Sequence, residues 1–154
     1  MLVVASEFGV CQVCFGTMDE LNQQRQQRWP QATLVYKHAM VAYVAMLQEY
    51  LVGARKQLPI PLDIHPTSFQ AQVWAAVRAI PYGEVRSYSQ IASLIGKSSA
   101  TRAVAQACAH NPVALLIPCH RVVAANGSLR GYRWGVQRKQ ALLELEKRYS
   151  CNEY

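Results

Sequence analysis

The run from Ile117 to Val123, IPCHRVV, sets a thiol and an imidazole side by side in an otherwise apolar segment, with a guanidinium next to them. A cysteine attacks as its thiolate, and an ordinary thiol with a pKa of about 8.5 is only a few per cent ionised at neutral pH. Nucleophilic chemistry at Cys119 therefore calls for a base, and His120 is the nearest in sequence. Read as a strand, the segment turns adjacent side chains to opposite faces, so the two meet either directly or through a bridging water. A carboxylate orienting the imidazole would complete a relay, and the last helical stretch offers Glu144 and Glu146. Arg121 reads as scaffold, paired with backbone or acid groups. Buried cysteines without chemistry are common, so the pair alone decides nothing.

The other thiols point less clearly to chemistry. Five cysteines, Cys11, Cys14, Cys108, Cys119 and Cys151, are an odd number at irregular spacing, which argues for a reducing compartment and against a disulfide framework. Cys11 and Cys14 form a C-x-x-C that His38 and His65 could complete as a zinc site. In GVCQVCFG, however, the residues read as a strand, whose i and i+3 side chains face opposite ways. No metal and no cofactor are expected. The chain has 154 residues, 51% of them apolar, enough for a buried core. It contains no run of eighteen apolar residues, and its first residues lack a secretory pattern. The reading is a soluble cytoplasmic protein without a membrane partner.

The net charge of +7 is uneven: residues 1–65 carry five basic and five acidic side chains, residues 66–154 eleven against four. A basic second half suits an anionic partner such as nucleic acid, although a solubilising surface gives the same balance.

At the start of the chain, MLVVASEFGVCQVCFG alternates around Gly9 as a β-hairpin does. Helices are predicted from about Met18 to Trp29 and from about Tyr36 to Val52, the second burying Met40, Val41, Val44 and Leu47 or Gln48. KQLPIPLDIHPTS, with three prolines, reads as the linker between the two halves. Thr67 and Gln70 then form a capping box for a helix carrying Phe69, Val73 and Val77, ended by Pro81 and Gly83. Ser87 and Gln90 form a second box, and Ala92 and Gly96, four apart, suggest close packing in a helix-turn-helix. A further helix, about Ser99 to Ala109, buries Ala100, Ala103, Val104, Ala107 and Cys108. Its other face is Arg102, Ala105, Gln106 and Ala109, one long cation on a surface of little bulk. That face fits a DNA groove or an ordinary solvated helix equally well. Asn111-Pro112 ends it; VALLIP reads as a buried strand or extended segment, Asn126-Gly127 as a turn, LRGYRWG as a loop, and Val136 to Arg148 as a last helix.

IPCHRVV followed by NGSLRGYRWGVQRK resembles the active-site signature of the O6-alkylguanine-DNA alkyltransferases, also called methylated-DNA–protein-cysteine methyltransferases. The resemblance runs over residues 66–154, through FQAQVWAAVRAIPYGEVRSY and RAVAQACAHNPVALLIPCHRVV, and looks closest to the carboxy-terminal part of the bacterial Ada-type members. The expected fold is α+β: a small N-terminal α/β domain with a short antiparallel sheet over 1–64, then a mostly helical, winged-helix-like domain with a helix-turn-helix over 65–154. Members usually have a strand earlier than MLVVASEFGV, so the first sheet is expected to be incomplete or the chain to be part of a longer one.

What the resemblance implies is specific. Cys119 matches the alkyl acceptor, His120 and Glu146 the water-linked relay, and Asn111 the hinge asparagine. Tyr88 matches the tyrosine that helps turn the target nucleotide out and donates toward N3 of the leaving guanine. Arg102 matches the arginine that fills the gap in the duplex, on a helix, with Ala105, Gln106 and Ala109, that enters the minor groove. Tyr132 and Arg133 match the loop closing over the base, and the carbonyls of Cys119 and Val122 would accept from its exocyclic amine. Cys108 and Ala114 are the small residues expected at the pocket. The implied activity is irreversible, once-only transfer of an alkyl group from O6 of guanine, and from O4 of thymine, in double-stranded DNA to Cys119 of a monomer, after base flipping. The alternatives are a catalytically silent lesion-binding module or part of a regulator, and a thiol hydrolase or redox protein.

Overall fold

A computed structural model describes residues 1–33, 35 and 37–150. The hairpin forms as expected: β1 (Leu2–Ala5) pairs antiparallel with β2 (Val10–Cys14), with Leu2 opposite Cys14 and a register shift after Val4. Helix α1 (Met18–Arg28) is capped by Thr17, whose hydroxyl accepts from the Glu20 N–H while the Glu20 carboxylate accepts from the Thr17 N–H. Leu21 is its one fully buried side chain. Helix α2 (His38–Leu51) follows; the predicted start at Tyr36 lies outside the described residues. Its buried face differs from the expected one, because Val41 is 45% exposed while Leu47 and Tyr50 are in the core. The helix is apolar nearly all round, so periodicity left its orientation open.

The proline-rich segment is tied to the hairpin: the Val10 N–H donates to Pro61 O at 2.8 Å and the Asp63 N–H to Val10 O at 3.0 Å. Both capping boxes predicted beyond it are present. They open α3 (Ser68–Arg78) at Thr67 and α4 (Tyr88–Leu94) at Ser87. Helix α5 (Thr101–Ala109) completes the helix-turn-helix, and the Trp74 indole N–H donates to Ala107 O at 2.9 Å, joining α3 to α5. Gly96 has a different role from the predicted packing contact. Nothing lies within 4 Å of where its Cβ would be, and its φ is +71°. The Lys97 N–H reaches back to Ala92 O and the Gly96 N–H to Ser93 O, the paired bonds of a Schellman cap that a left-handed glycine closes.

The segment before Cys119 is not a strand. Val113 alone pairs, in a parallel bridge with Val13; the chain then turns tightly, with Leu115 at φ 69° and the Ile117 N–H donating to Val113 O. Cys119–Arg121 is a 3₁₀ turn, followed by β4 (Val122–Val123), which pairs parallel with β3 (Arg86–Ser87). A short apolar run reads alike as strand or buried turn. The Asn126-Gly127 turn forms, with the Ser128 N–H on Asn126 Oδ1, and α6 (Val136–Ser150) ends the described chain. The fold is α+β. One apolar cluster gathers Val10 and Val13, Leu47 and Tyr50, Val73 and Val77, Ile91, Val104, Ile117 and Leu142. Among the described residues no helix is long and apolar enough to cross a membrane, and no three metal-ligating side chains cluster.

Candidate functional site

A cavity of about 430 Å³ opens where α4, α5, the Cys119 turn and the loop before α6 converge. Cys119, Cys108, Tyr88, Tyr132 and Arg133 line it, together with Ala105 and Ala109 of α5. Val122 and Ala114, expected at this pocket, are not among its lining residues. Both are fully buried, and Val122 instead gives its carbonyl to Lys139 Nζ at 2.5 Å. A larger cleft of about 570 Å³ on the side of Arg121, Tyr50 and Tyr82 does not reach Cys119.

The thiol is 3% exposed and held from one side by Asn111. Asn111 Nδ2 donates to Cys119 Sγ at 3.4 Å and to Ile117 O at 2.8 Å, and its Oδ1 accepts from the Val113 N–H. Burial, reinforced by Cys108, pushes the Cys119 thiol well above its ordinary range; Asn111 and the Lys139 ammonium pull the other way. The resting group is a thiol, so nucleophilic attack requires a proton acceptor coupled to it. Tyr88 is pushed up to about 12 by burial and by Cys108 and Cys119, and stays protonated; its hydroxyl donates to Arg130 O at 3.2 Å.

No hydrogen bond joins Cys119 to His120. The imidazole turns the other way, Nε2 lying 2.5 Å from Glu146 Oε1 with both side chains fully buried. A nitrogen facing a carboxylate carries the proton, which leaves Nδ1 as the acceptor; Nδ1 is buried and has no protein partner among the described residues. Of the two acids left open by sequence, Glu146 is the one in place, while Glu144 accepts from Gln140 at the surface. Arg121 binds the same carboxylate through Nε at 2.9 Å and donates to Ile80 O at 2.6 Å.

Burial opposes the charge on Glu146, but the hydrogen bonds and charges of His120 and Arg121 outweigh it, and its pKa falls to about 2. Burial likewise lowers His120, with Glu146 acting against it. The pair is thus a carboxylate and a neutral imidazole. Both groups bind protons more tightly in the unfolded chain, so acid should destabilise the fold. The loss begins as pH drops below the ordinary histidine value of 6.5 and continues from 4.5 down to about 2, where Glu146 titrates in the folded state. Denaturant midpoints measured against pH should show the Glu146 part as roughly 3 kcal/mol, and Glu146→Gln should remove that part of the slope.

A family model described as the DNA-binding domain of 6-O-methylguanine DNA methyltransferase matches residues 68–148, which span α3 through most of α6 and the whole cavity. The chain belongs to the 6-O-methylguanine DNA methyltransferase family. It is 46% identical over 151 residues to the bifunctional transcriptional activator/DNA repair enzyme Ada of Escherichia coli, covering 94% of this chain and 42% of that protein. The inducible methylated-DNA–protein-cysteine methyltransferase of Bacillus subtilis is 44% identical over 134 residues, 86% of this chain and 75% of its own length. Among solved structures, the R37K variant of Mycobacterium tuberculosis OGT superposes with a TM-score of 0.80 at 35% identity, over 98% of this chain and 94% of that one. The same OGT in complex with DNA aligns at TM-score 0.67 and 50% identity over 69% and 66%. The chain spans less than half the length of the two Ada proteins it matches.

Within this fold, α5 presents most of the face read from its sequence. Val104, Ala107 and Cys108 are buried and Arg102, Gln106 and Ala109 are exposed, while Ala100, which is the cap rather than part of the helix, and Ala103 are half-buried instead of buried, as is Ala105. Arg133 reaches back to Asn111 O at 3.0 Å, tying the loop to the end of that helix. Three contacts of the site have no counterpart in the sequence pattern as read above, although Gly83 is expected there as a helix stop. Lys139 is fully buried; its Nζ donates to Val122 O and Gly131 O and stands 5.7 Å from the Tyr88 ring. The Gly83 N–H donates to Glu146 Oε2 at 3.0 Å, from a backbone at φ +82°. Tyr50 donates its hydroxyl to Glu146. For Lys139 a signal existed: with Leu142 and Glu146 it recurs at i, i+3 and i+7, the buried stripe of α6.

Proposed function

We propose that this chain repairs double-stranded DNA by moving an alkyl group from O6 of guanine, or O4 of thymine, onto Cys119. The observation that carries the reading is a nearly inaccessible thiol at a base-sized cavity, beside a helix face that carries one exposed cation, Arg102, among small side chains. An O6-alkyl group lies inside the base stack, so the nucleotide must leave the duplex to reach Sγ, at a cost of a few kcal/mol that weakened lesion pairing partly offsets. Arg102 fills the gap and α5 lies in the minor groove, where Ala105, Gln106 and Ala109 permit close approach. Tyr132 and Arg133 close on the flipped base, in the cavity that Cys108 also lines.

The proton of Cys119 passes through water to His120 Nδ1, while Glu146 holds Nε2–H and stabilises the imidazolium that forms. The sulfur then attacks the alkyl carbon in line; the S–C bond forms as the C–O6 bond breaks. The electron pair stays with the base, and Tyr88 donates its phenolic proton toward N3. Asn111 keeps Sγ aligned through its amide hydrogen. A thioether offers no comparable leaving group, so each molecule acts once. The same reading takes the protein to act as a cytoplasmic monomer without a cofactor, dividing into domains at residues 64 and 65.

Incubating the protein with a duplex that contains one O6-methylguanine tests this. One methyl should appear on the peptide bearing Cys119, with unmodified guanine left in the DNA. Tight lesion binding with no methyl on Cys119 would instead identify a silent lesion-binding module, and a DNA affinity indifferent to salt would point to a thiol hydrolase.

A further inference from the structure

We propose that Tyr50 of α2 is a positioning residue of the relay, its phenol fixing the Glu146 carboxylate against which His120 is oriented. This rests on the alkyl-transfer reading above and adds to it a residue from outside the matched family region, which begins at residue 68. Tyr50 is 1% exposed. Its hydroxyl donates to Glu146 Oε1, accepts from Arg121 NH2 at 3.2 Å and lies 3.5 Å from His120 Nε2. The ring is held edge-on by Tyr82, with centroids 5.6 Å apart.

Glu146 Oε1 therefore serves three partners, Tyr50, His120 and Arg121, while Oε2 takes the Gly83 N–H and Arg121 Nε. A carboxylate oxygen shared in this way is a weaker acceptor for each donor, and it cannot swing. The arrangement suits a base that must be aimed without being charged in advance: His120 is oriented by Glu146 yet stays neutral. Burial raises the Tyr50 phenol far above its ordinary range, so it remains a donor throughout the working pH range. The other groups acting on this pair are Arg121 from the 3₁₀ turn, Lys139 from α6, and Tyr82 and Tyr132 from their loops. None of the loop tyrosines hydrogen-bonds the carboxylate, so Tyr50 is the phenol that sets how much of its charge His120 receives.

Removing the hydroxyl in Tyr50→Phe should return charge to the His120 bond and raise the basicity of the imidazole. Single-turnover methyl transfer in the full chain, measured against pH with saturating O6-methylguanine duplex, should slow about tenfold at neutral pH. The acid limb of its profile should move to higher pH, with duplex affinity unchanged. Fluorotyrosine at position 50 keeps the shape and makes the phenol a stronger donor, so its acid limb should move to lower pH. Parental rate and profile in both variants would overturn the proposal. So would a slower Tyr50→Phe that has merely lost stability while its acid limb stays put. If Tyr50→Phe does not fold, an unmoved limb in the fluorotyrosine protein overturns it alone. Failure of the parent to methylate Cys119 would count against the alkyl-transfer reading, a separate outcome.

Discussion

Replacing Cys119 with serine is expected to abolish methyl transfer, by at least about a thousandfold in single-turnover rate, while lesion-duplex affinity stays within about threefold. The geometry isolates the effect. Serine fits the space, and Asn111 Nδ2, 3.4 Å from Sγ, can donate to a hydroxyl as it does to sulfur. What changes is the proton: a serine hydroxyl is far less acidic than a thiol, and burial that already raises Cys119 would raise it further. The neutral imidazole of His120 is too weak a base to take it without an activated acyl-type partner. Electrophoretic shift with lesion duplex, set beside the methyl count on the protein, separates binding from transfer. A serine protein that still acquires the methyl would place the acceptor elsewhere.

The second large effect concerns the fold. Glu146→Ala should cost about 3–5 kcal/mol of stability, because it leaves the Arg121 guanidinium in the core without its counter-charge. Arg121 is 8% exposed and its Nε and NH2 both end on this carboxylate, so in its present rotamer the guanidinium would lose its counter-charge while still largely buried. Glu146→Gln tests charge at nearly constant shape and should also be poor. The oxygens receive donors from Tyr50, His120, Arg121 and Gly83, and an amide NH2 must point at one of them. Urea midpoints should rank parent, Gln and Ala in falling order, and both variants should transfer methyl slowly even where folded. A stability loss below about 1 kcal/mol in Glu146→Ala would mean that the pair contributes little against a solvated alternative.

Much of this architecture is legible in the sequence. Thr67/Gln70 and Ser87/Gln90 announce two helix starts through local side-chain chemistry, and both caps form as read. The α5 face follows from spacing alone, since one turn of helix settles which side chains the core takes. Where the reading stopped, the contacts are long-range. Tyr50 and Glu146 stand 96 positions apart, and no periodicity links them. Val41 faces solvent against expectation because α2 is apolar on most sides, and a buried 3₁₀ turn at Cys119 shows the same run of apolar residues as a strand. At Gly96 the pattern does not distinguish a cap from a packing contact, because a small residue serves both purposes.

Asn111 also sets a limit on chain length. One amide spans the Val113 N–H, the Ile117 carbonyl and Cys119 Sγ, while Val113 and Ala114 are pinned to Val13. A residue inserted or deleted between Asn111 and Cys119 would bring the wrong atom to each of these points and swing the thiol out of register with its cavity. Most of the interval is irregular backbone, the kind of segment that ordinarily absorbs indels first. Here it behaves as a ruler, so an inserted residue should be accommodated instead in the Ala124–Ser128 turn, where Gly127 meets nothing within 4 Å.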